Sequence, residues 1–455
     1  MTPFSSSPDF LRVLRLLAVA LPLVAAHVAL LVNFDLAARP AATLGCFFVA
    51  FLGLLIADRS LRRTVRPSVP GILLVAALLR LLLLPLPPSL SNDILRYEWD
   101  GRVTAAGFNP YRLSPDSAEL EILRDDLWES MDHKTIPTLY PPLALSLFAV
   151  ASRMPAPQLV IKGALCVIDL VTCWLLVVLA RRMGIPVSRT IWYSWNPLTT
   201  FEVAGMGHVD ALAVAATITA VVCLMDRSPR LLGAGLAAAA GVLAKIVPLT
   251  TVPLWARVSG RPWRFVMIVG GVVLIVLGPV FLTTGGVPTG LVAYGVSWEF
   301  NGPLFEPLWR SLDFLETPRL LAAGLDQFRA GVVDFPNSSR LYAVIYPQFI
   351  AKVVLALLLL TVIAVLSRRS ELVLGTAQIF GWTLLCSATV YPWYLLWVLP
   401  WAALLRHPPW MLLSGLVMLS YVPMLFAIDL WPWIYVAIWV PFVCMHYWYP
   451  RWSIN

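Results

Sequence analysis

Runs of roughly 20 apolar residues recur along this chain, and each is long enough to cross a bilayer as a helix. With 59% hydrophobic and only 13% charged residues, the composition is not that of a soluble domain. We read the chain as one all-α polytopic integral membrane protein, with about 12 to 14 transmembrane helices. The net charge of +8 comes almost wholly from arginine. These arginines fall in short loops between apolar runs, so the charge reports topology and no nucleic-acid partner is expected. All six cysteines lie inside apolar segments and no CxxC occurs. Neither disulfides nor a cysteine metal site is expected.

Arg12 and Arg15 put the N-terminus in the cytoplasm, and the run 14–32 reads as an uncleaved anchor. The run 41–56 returns to DRSLRRTVR at 58–66, a cytoplasmic loop with four arginines. The run 71–86 then exits, placing 90–139 on the outer face with ten of the 25 acidic residues. Segment 140–150 is too short to cross and reads as re-entrant or interfacial, which keeps Arg181, Arg182 and Arg189 inside. Segments 158–180, 190–204 and 211–225 cross in turn, with Gly207-His208-Val209-Asp210 at an outer end. Segments 231–246 and 247–256 form a broken pair, with Lys245 near the break and Pro248 after it. Broken helices at membrane depth occur where backbone lines a cavity. After 265–283 comes a second outer loop, 284–340, and then 341–366, ending at Arg368 and Arg369 inside. Four more apolar segments follow, with Tyr391-Pro392-Trp393-Tyr394 at an outer turn and both termini cytoplasmic. Trp431, Trp433, Trp439 and Trp448 read as an interfacial belt. The whole of 1–455 is one transmembrane domain: N-terminal spans 1–88, outer loop and interfacial helices 89–157, central spans 158–283, second outer loop 284–340 and C-terminal spans 341–455. There is no internal repeat, GxxxxGK loop or dinucleotide fingerprint.

The polar stretch SNDILRYEWDGRVTAAGFNPY, 91–111, stands out against this background. Read as a helix from Asp93, it puts Asp93, Tyr97 and Asp100 on one face. A carboxylate just above the membrane can take a proton from an acceptor hydroxyl. The alternative is that Asp93 and Asp100 pair with Arg96 and Arg102 on a solvated loop. Lys245 between two apolar segments either binds a phosphate or snorkels to the interface. Arg80 has the same two readings, and snorkelling is favoured. His208 and Asp210 either hydrogen-bond a sugar or phosphate or cap the next helix; Glu202 joins them or pairs locally. Tyr140-Pro141-Pro142 and Tyr391-Pro392-Trp393-Tyr394 either stack on a sugar or polyprenyl chain or anchor at the interface. Asp169 and Lys162 read as a buried pair. Glu299 and Asn301 are further candidates for an acceptor site.

Several of these pieces together resemble polyprenol-phosphate-dependent glycosyltransferases of the GT-C superfamily. They are most similar to bacterial polyprenol-phosphomannose-dependent alpha-mannosyltransferases, with a fainter likeness to the catalytic subunit of GPI mannosyltransferase I. The matching pieces are DILRYEWDGRVTAAGFNPY from Asp93, Tyr140-Pro141-Pro142, Asn196-Pro197-Leu198 with Gly207-His208-Val209-Asp210, Leu243-Ala244-Lys245 with Pro248, and Tyr391-Pro392-Trp393-Tyr394-Leu395-Leu396. The resemblance implies a GT-C helical bundle and inverting transfer of a sugar from a lipid-linked monophosphate on the outer face. It implies Asp93 as the essential acid, Asp100 as a second acidic position, and Lys245 and His208 as binders of the carrier phosphate. Arg96, Tyr97, Arg102, Tyr140, Asp210, Tyr391 and Tyr394 complete the expected donor site. Some relatives carry Asp-x-Asp here, whereas Asp93 is followed by Leu95 two residues on, so no obligatory metal or other cofactor is expected.

The function expected is transfer of a hexose, mannose by resemblance, from a polyprenyl-phosphate donor to a glycan or lipid acceptor at the inner or plasma membrane. The competing class is a transporter or flippase of a lipid-linked sugar, which would favour paired ionisable residues at midplane and repeat symmetry. A non-catalytic scaffold is the third reading. Acceptor identity and oligomeric state are not readable from the sequence.

Overall fold

The computed structural model describes residues 8–63, 68–226, 230–330 and 345–449. In chain order the principal helices are α1 (Pro8–Asn33), α2 (Pro40–Arg63), α3 (Val69–Leu83), α4 (Asp93–Ala105), α5 (Pro142–Ala151) and α6 (Pro157–Arg182). They continue with α7 (Asp210–Leu224), α8 (Leu231–Ala244), α9 (Pro262–Thr284), α10 (Pro347–Arg369), α11 (Leu372–Leu385) and α12 (Trp433–Trp448). Helices α1, α2, α6, α9, α10 and the segmented Pro408–Phe426 are each long and apolar enough to cross a membrane. Pro197–Gly205 and α7 form one further candidate span, bent by 120°. Helices α3, α5, α8, α11 and α12 are apolar but shorter. The chain is an all-α polytopic membrane protein. Among the described residues there is no strand, only isolated bridges from Phe300 and Asn301 to Thr389.

Local chemistry sets the breaks. Ser68 caps α3, its hydroxyl accepting from the Gly71 N–H, with Pro70 in the first turn. The stretch expected as one crossing at 190–204 is instead a series of short turns. Pro197 has no N–H to continue a helix, and the Asn196 side chain accepts from the Leu198 N–H to start a new one. The chain then makes a π-helical turn, Phe201–Gly205, before bending into α7. Helix α4 lies directly on α5. A Cβ at Gly101 would fall 2.4 Å from the Phe148 carbonyl oxygen, so only glycine allows this approach. Tyr97 stacks on Phe148 at 4.5 Å and meets Tyr140 edge-on.

Two expectations, the snorkelling of Arg80 and the pairing of Asp169 with Lys162, differ from the structure. Arg80 does not snorkel: it is 1% exposed and its guanidinium lies 2.5 Å from Asp169. Asp169 therefore does not pair with Lys162, whose ammonium donates to the Leu86 carbonyl at 2.5 Å. Trp439 also departs from the expected belt. It is 3% exposed and donates to Asn301, whereas Trp433 and Trp448 are 70% and 76% exposed. Residues 284–330 are not an open loop but carry the helices Thr289–Ser297, Phe305–Phe314 and Thr317–Ala330. The rest of that expected loop, 331–340, lies outside the described residues.

Candidate active site

A cavity of about 820 Å³ opens between the start of α4, the break after α8, the turn at 391–397 and the segment 420–425. Most of these walls lie at helix ends, with Leu291 and Tyr294 of the helix Thr289–Ser297 adding to the lining.

Asp93 is the first residue of α4, a helix end that favours a negative charge. Although 39% of its side chain faces open space, the protein around it displaces water and pushes its pKa up to about 6. The positive charge of Lys245 opposes that rise and the negative charge of Asp210 adds to it.

Helix α8 stops at Ala244, and Lys245 takes an extended backbone ahead of Pro248. Its ammonium lies 2.8 Å from Asp210, which opens α7 and is fully buried. Asp210 also accepts from the Trp397 indole at 2.7 Å. The same ammonium faces the rings of Tyr394 and Trp397 at 4.7 and 5.4 Å.

The bend before α7 depends on Gly207, which has φ +79°. A Cβ there would come within 2.9 Å of both Ile94 and Lys162. The bend brings His208 under the cavity wall. Its ring stacks on Trp393 at 3.8 Å and 13° and has no exposed surface. Nδ1 is 3.6 Å from Asp93 and Nε2 is 3.2 Å from Glu202. Neither approach has hydrogen-bond geometry, so no described group bonds either ring nitrogen. Glu202, on the π-helical turn, is fully buried and accepts from the Tyr421 hydroxyl. Above His208 the stack continues through Tyr391, 4.5 Å from Trp393, to Phe300, 4.7 Å from Tyr391.

Of the residues singled out from sequence, Asp93, Arg96, Tyr140, Lys245, Tyr391 and Tyr394 line the cavity. His208 and Asp210 stand behind that wall, and Tyr97 is buried in the packing of α4 on α5. Asp100 and Arg102 lie away from the cavity. Asp100 accepts from Arg96 at 2.9 Å, and burial raises its pKa against the pull of that guanidinium. Arg96 also donates to the carbonyls of His133 and Ile136, so the pair holds the loop against α4. Arg102 bridges Glu98 and Asp125, each at 2.5 Å. Glu299 pairs with Lys352, and neither it nor Asn301 lines the cavity. Sequence reasoning did not single out Tyr294, Trp298, Trp397 or Tyr421, all of which do. Tyr294 and Trp298 lie in the expected outer loop 284–340, Trp397 directly follows the Tyr391–Leu396 motif, and Tyr421 lies in a C-terminal apolar segment. Among the described residues no three His, Cys, Asp or Glu side chains gather as a metal site.

A curated relative from Mycolicibacterium smegmatis bears the name "Probable alpha-(1->6)-mannopyranosyltransferase". It is 24% identical over 379 residues, 72% of this chain and 64% of the relative, so the chain spans less than two thirds of its length. No solved structure matches the chain. The family description "Alpha-(1->6)-mannopyranosyltransferase, N-terminal domain" matches residues 14–261, more than half of the chain, and the chain belongs to that family.

Proposed function

We propose that this protein is a membrane glycosyltransferase that moves mannose from a polyprenyl-phosphate donor to an acceptor hydroxyl on the outer face. The observation that carries this reading is one cavity lined by both Asp93 and Lys245 and walled by aromatic rings. Ionised Asp93 takes the proton of the acceptor hydroxyl as its oxygen attacks the anomeric carbon. The bond to phosphate breaks on the opposite side, and the leaving phosphate keeps the electron pair. One bond forms and one breaks, so the configuration inverts. Lys245 hydrogen-bonds the departing phosphate, with Asp210 and Trp397 fixing its ammonium in place. Phosphate is already a good leaving group, so alignment and charge supply most of what the reaction needs. Leu291, Met424 and Leu425 offer the polyprenyl chain an apolar lining. The Tyr391 and Trp393 rings present their edges to the sugar, because the stack from His208 to Phe300 takes their faces. Asp100 and Arg96 support the site by holding the loop. The arginine-rich turns are expected in the cytoplasm, and this reading takes the cavity to face the other side.

The test is transfer by purified protein in liposomes, with membrane extract as acceptor. Radiolabelled polyprenyl-phosphate mannose and a nucleotide-linked mannose are compared as donors. Label moves only from the lipid-linked donor on this reading. Transfer from the nucleotide sugar alone contradicts it.

A further inference from the structure

His208 is a fully buried histidine whose ring nitrogens each face a carboxylate without bonding it. Buried polar groups are nearly always paired, and an exception calls for an explanation, a catalytic role among them. Here the two approaches differ: 3.6 Å to Asp93 at Nδ1 and 3.2 Å to Glu202 at Nε2. Beyond Glu202, the Tyr421 hydroxyl lies 3.2 and 3.3 Å from its two oxygens. Tyr421 lines the same cavity as Asp93. The four groups form a chain that leaves the cavity at Asp93, passes through the interior and returns at Tyr421. The backbone just before the histidine is unusual. Glu202 sits on a π-helical turn, a state often found at functional positions, and Gly207 has positive φ.

We propose that His208 and Glu202 relay the proton that Asp93 takes from the acceptor, freeing the base for the next turnover. The proposal rests on Asp93 being that base. Protonated Asp93 passes its proton to Nδ1 while the Nε2 proton moves to one oxygen of Glu202, which is buried with no fixed cation beside it among the described residues and carries a proton of its own. That proton passes from the other Glu202 oxygen to the Tyr421 oxygen as the tyrosine's own hydroxyl proton leaves to the cavity. One proton enters the chain and one leaves it, and nothing is oxidised or reduced. The 3.6 Å approach is the longest in the relay, and long resting distances of this kind tighten in working complexes. The other charged groups around the relay are compensated. Lys245 is paired with Asp210, and the Lys162 ammonium is held by the Leu86 carbonyl. Tyr97, Tyr140 and Tyr391 face Asp93 as neutral phenols, their pKa values raised by burial.

His208 and Glu202 are positioning residues here, since neither reaches the reacting atoms. Glu202→Gln and His208→Gln are each expected to lower kcat about tenfold or more. KM for the lipid-linked donor stays unchanged, and the solvent deuterium isotope effect rises because proton release becomes limiting. Glu202→Asp restores part of the rate. A packing role alone would lower the unfolding temperature and leave the isotope effect of the folded fraction as in wild type. A second readout needs no substrate. Infrared difference spectra across pH identify the Asp93 carboxyl as the band missing in Asp93→Asn, and its midpoint shifts in Glu202→Gln. An unshifted midpoint together with wild-type kcat in Glu202→Gln overturns the relay and leaves the base assignment standing. A shifted midpoint in a protein that transfers no sugar supports the proton coupling and removes the donor reading instead.

Discussion

Two of the buried groups of ionisable side chains in this apolar chain are satisfied to different degrees. Around Asp169 every charge is met. Arg80 pairs with it at 2.5 Å and also donates to the Ala76 and Ser194 carbonyls, while the Tyr193 hydroxyl takes the second carboxylate oxygen. Nothing in that group lines the cavity. Around Asp93 the pairing is incomplete. Asp93 faces open space, Lys245 keeps 21% of its side chain exposed, and His208 stands between two carboxylates without a hydrogen bond. A closed set of partners fixes helices, whereas an open set has bonds left to give to a substrate. On the function proposed above, the buried pair belongs to structure and the cavity group to chemistry.

The comparison can be broken at either end. Asp169→Asn leaves the Arg80 guanidinium buried without its counter-charge, which costs about 3–5 kcal/mol. Unfolding in detergent should show that loss, while the fraction that stays folded keeps its transfer rate. A variant that folds normally but loses transfer would reverse the two roles. Lys245→Gln should instead change transfer in the folded protein. Removing a charge-assisted hydrogen bond to phosphate costs about 1.5–3 kcal/mol, read as a higher donor KM at matched folded fraction; stability falls as well, because the buried Asp210 loses its counter-charge and keeps only the Trp397 hydrogen bond.

The pH profile sharpens the contrast further. Asp93 must be ionised to accept a proton, and its pKa lies at about 6. Activity should therefore be full above that value and fall as pH drops through it. Lys245 holds the Asp93 pKa down, so Lys245→Gln should move the acid limb to higher pH. The smallest effect is expected from chelation, which should leave the transfer rate unchanged, because no step of the proposed reaction passes through a metal.

Much of this was legible in the chain, and what was hidden shares a cause. Apolar length marks the helices because a bilayer core demands it. Lys245 marks a break because a lysine before Pro248 cannot continue an apolar helix. Asp93 is visible as the first acid after a long apolar run. The partners are not visible. Arg80 and Asp169 are 89 positions apart, and Glu202 and Tyr421 are 219 apart. No local periodicity links such pairs. The turns at 187–205 were missed because their residues are as apolar as a span, and only Asn196-Pro197 shows where the helix must restart.

The central claim is that Asp93 is the base of a sugar-transfer site. Single-turnover transfer from polyprenyl-phosphate mannose in liposomes, comparing wild type with Asp93→Asn at matched folded fraction, tests it most directly. The account predicts a loss of about 10²–10⁴ in rate with donor binding retained. Equal rates in the two proteins would contradict it.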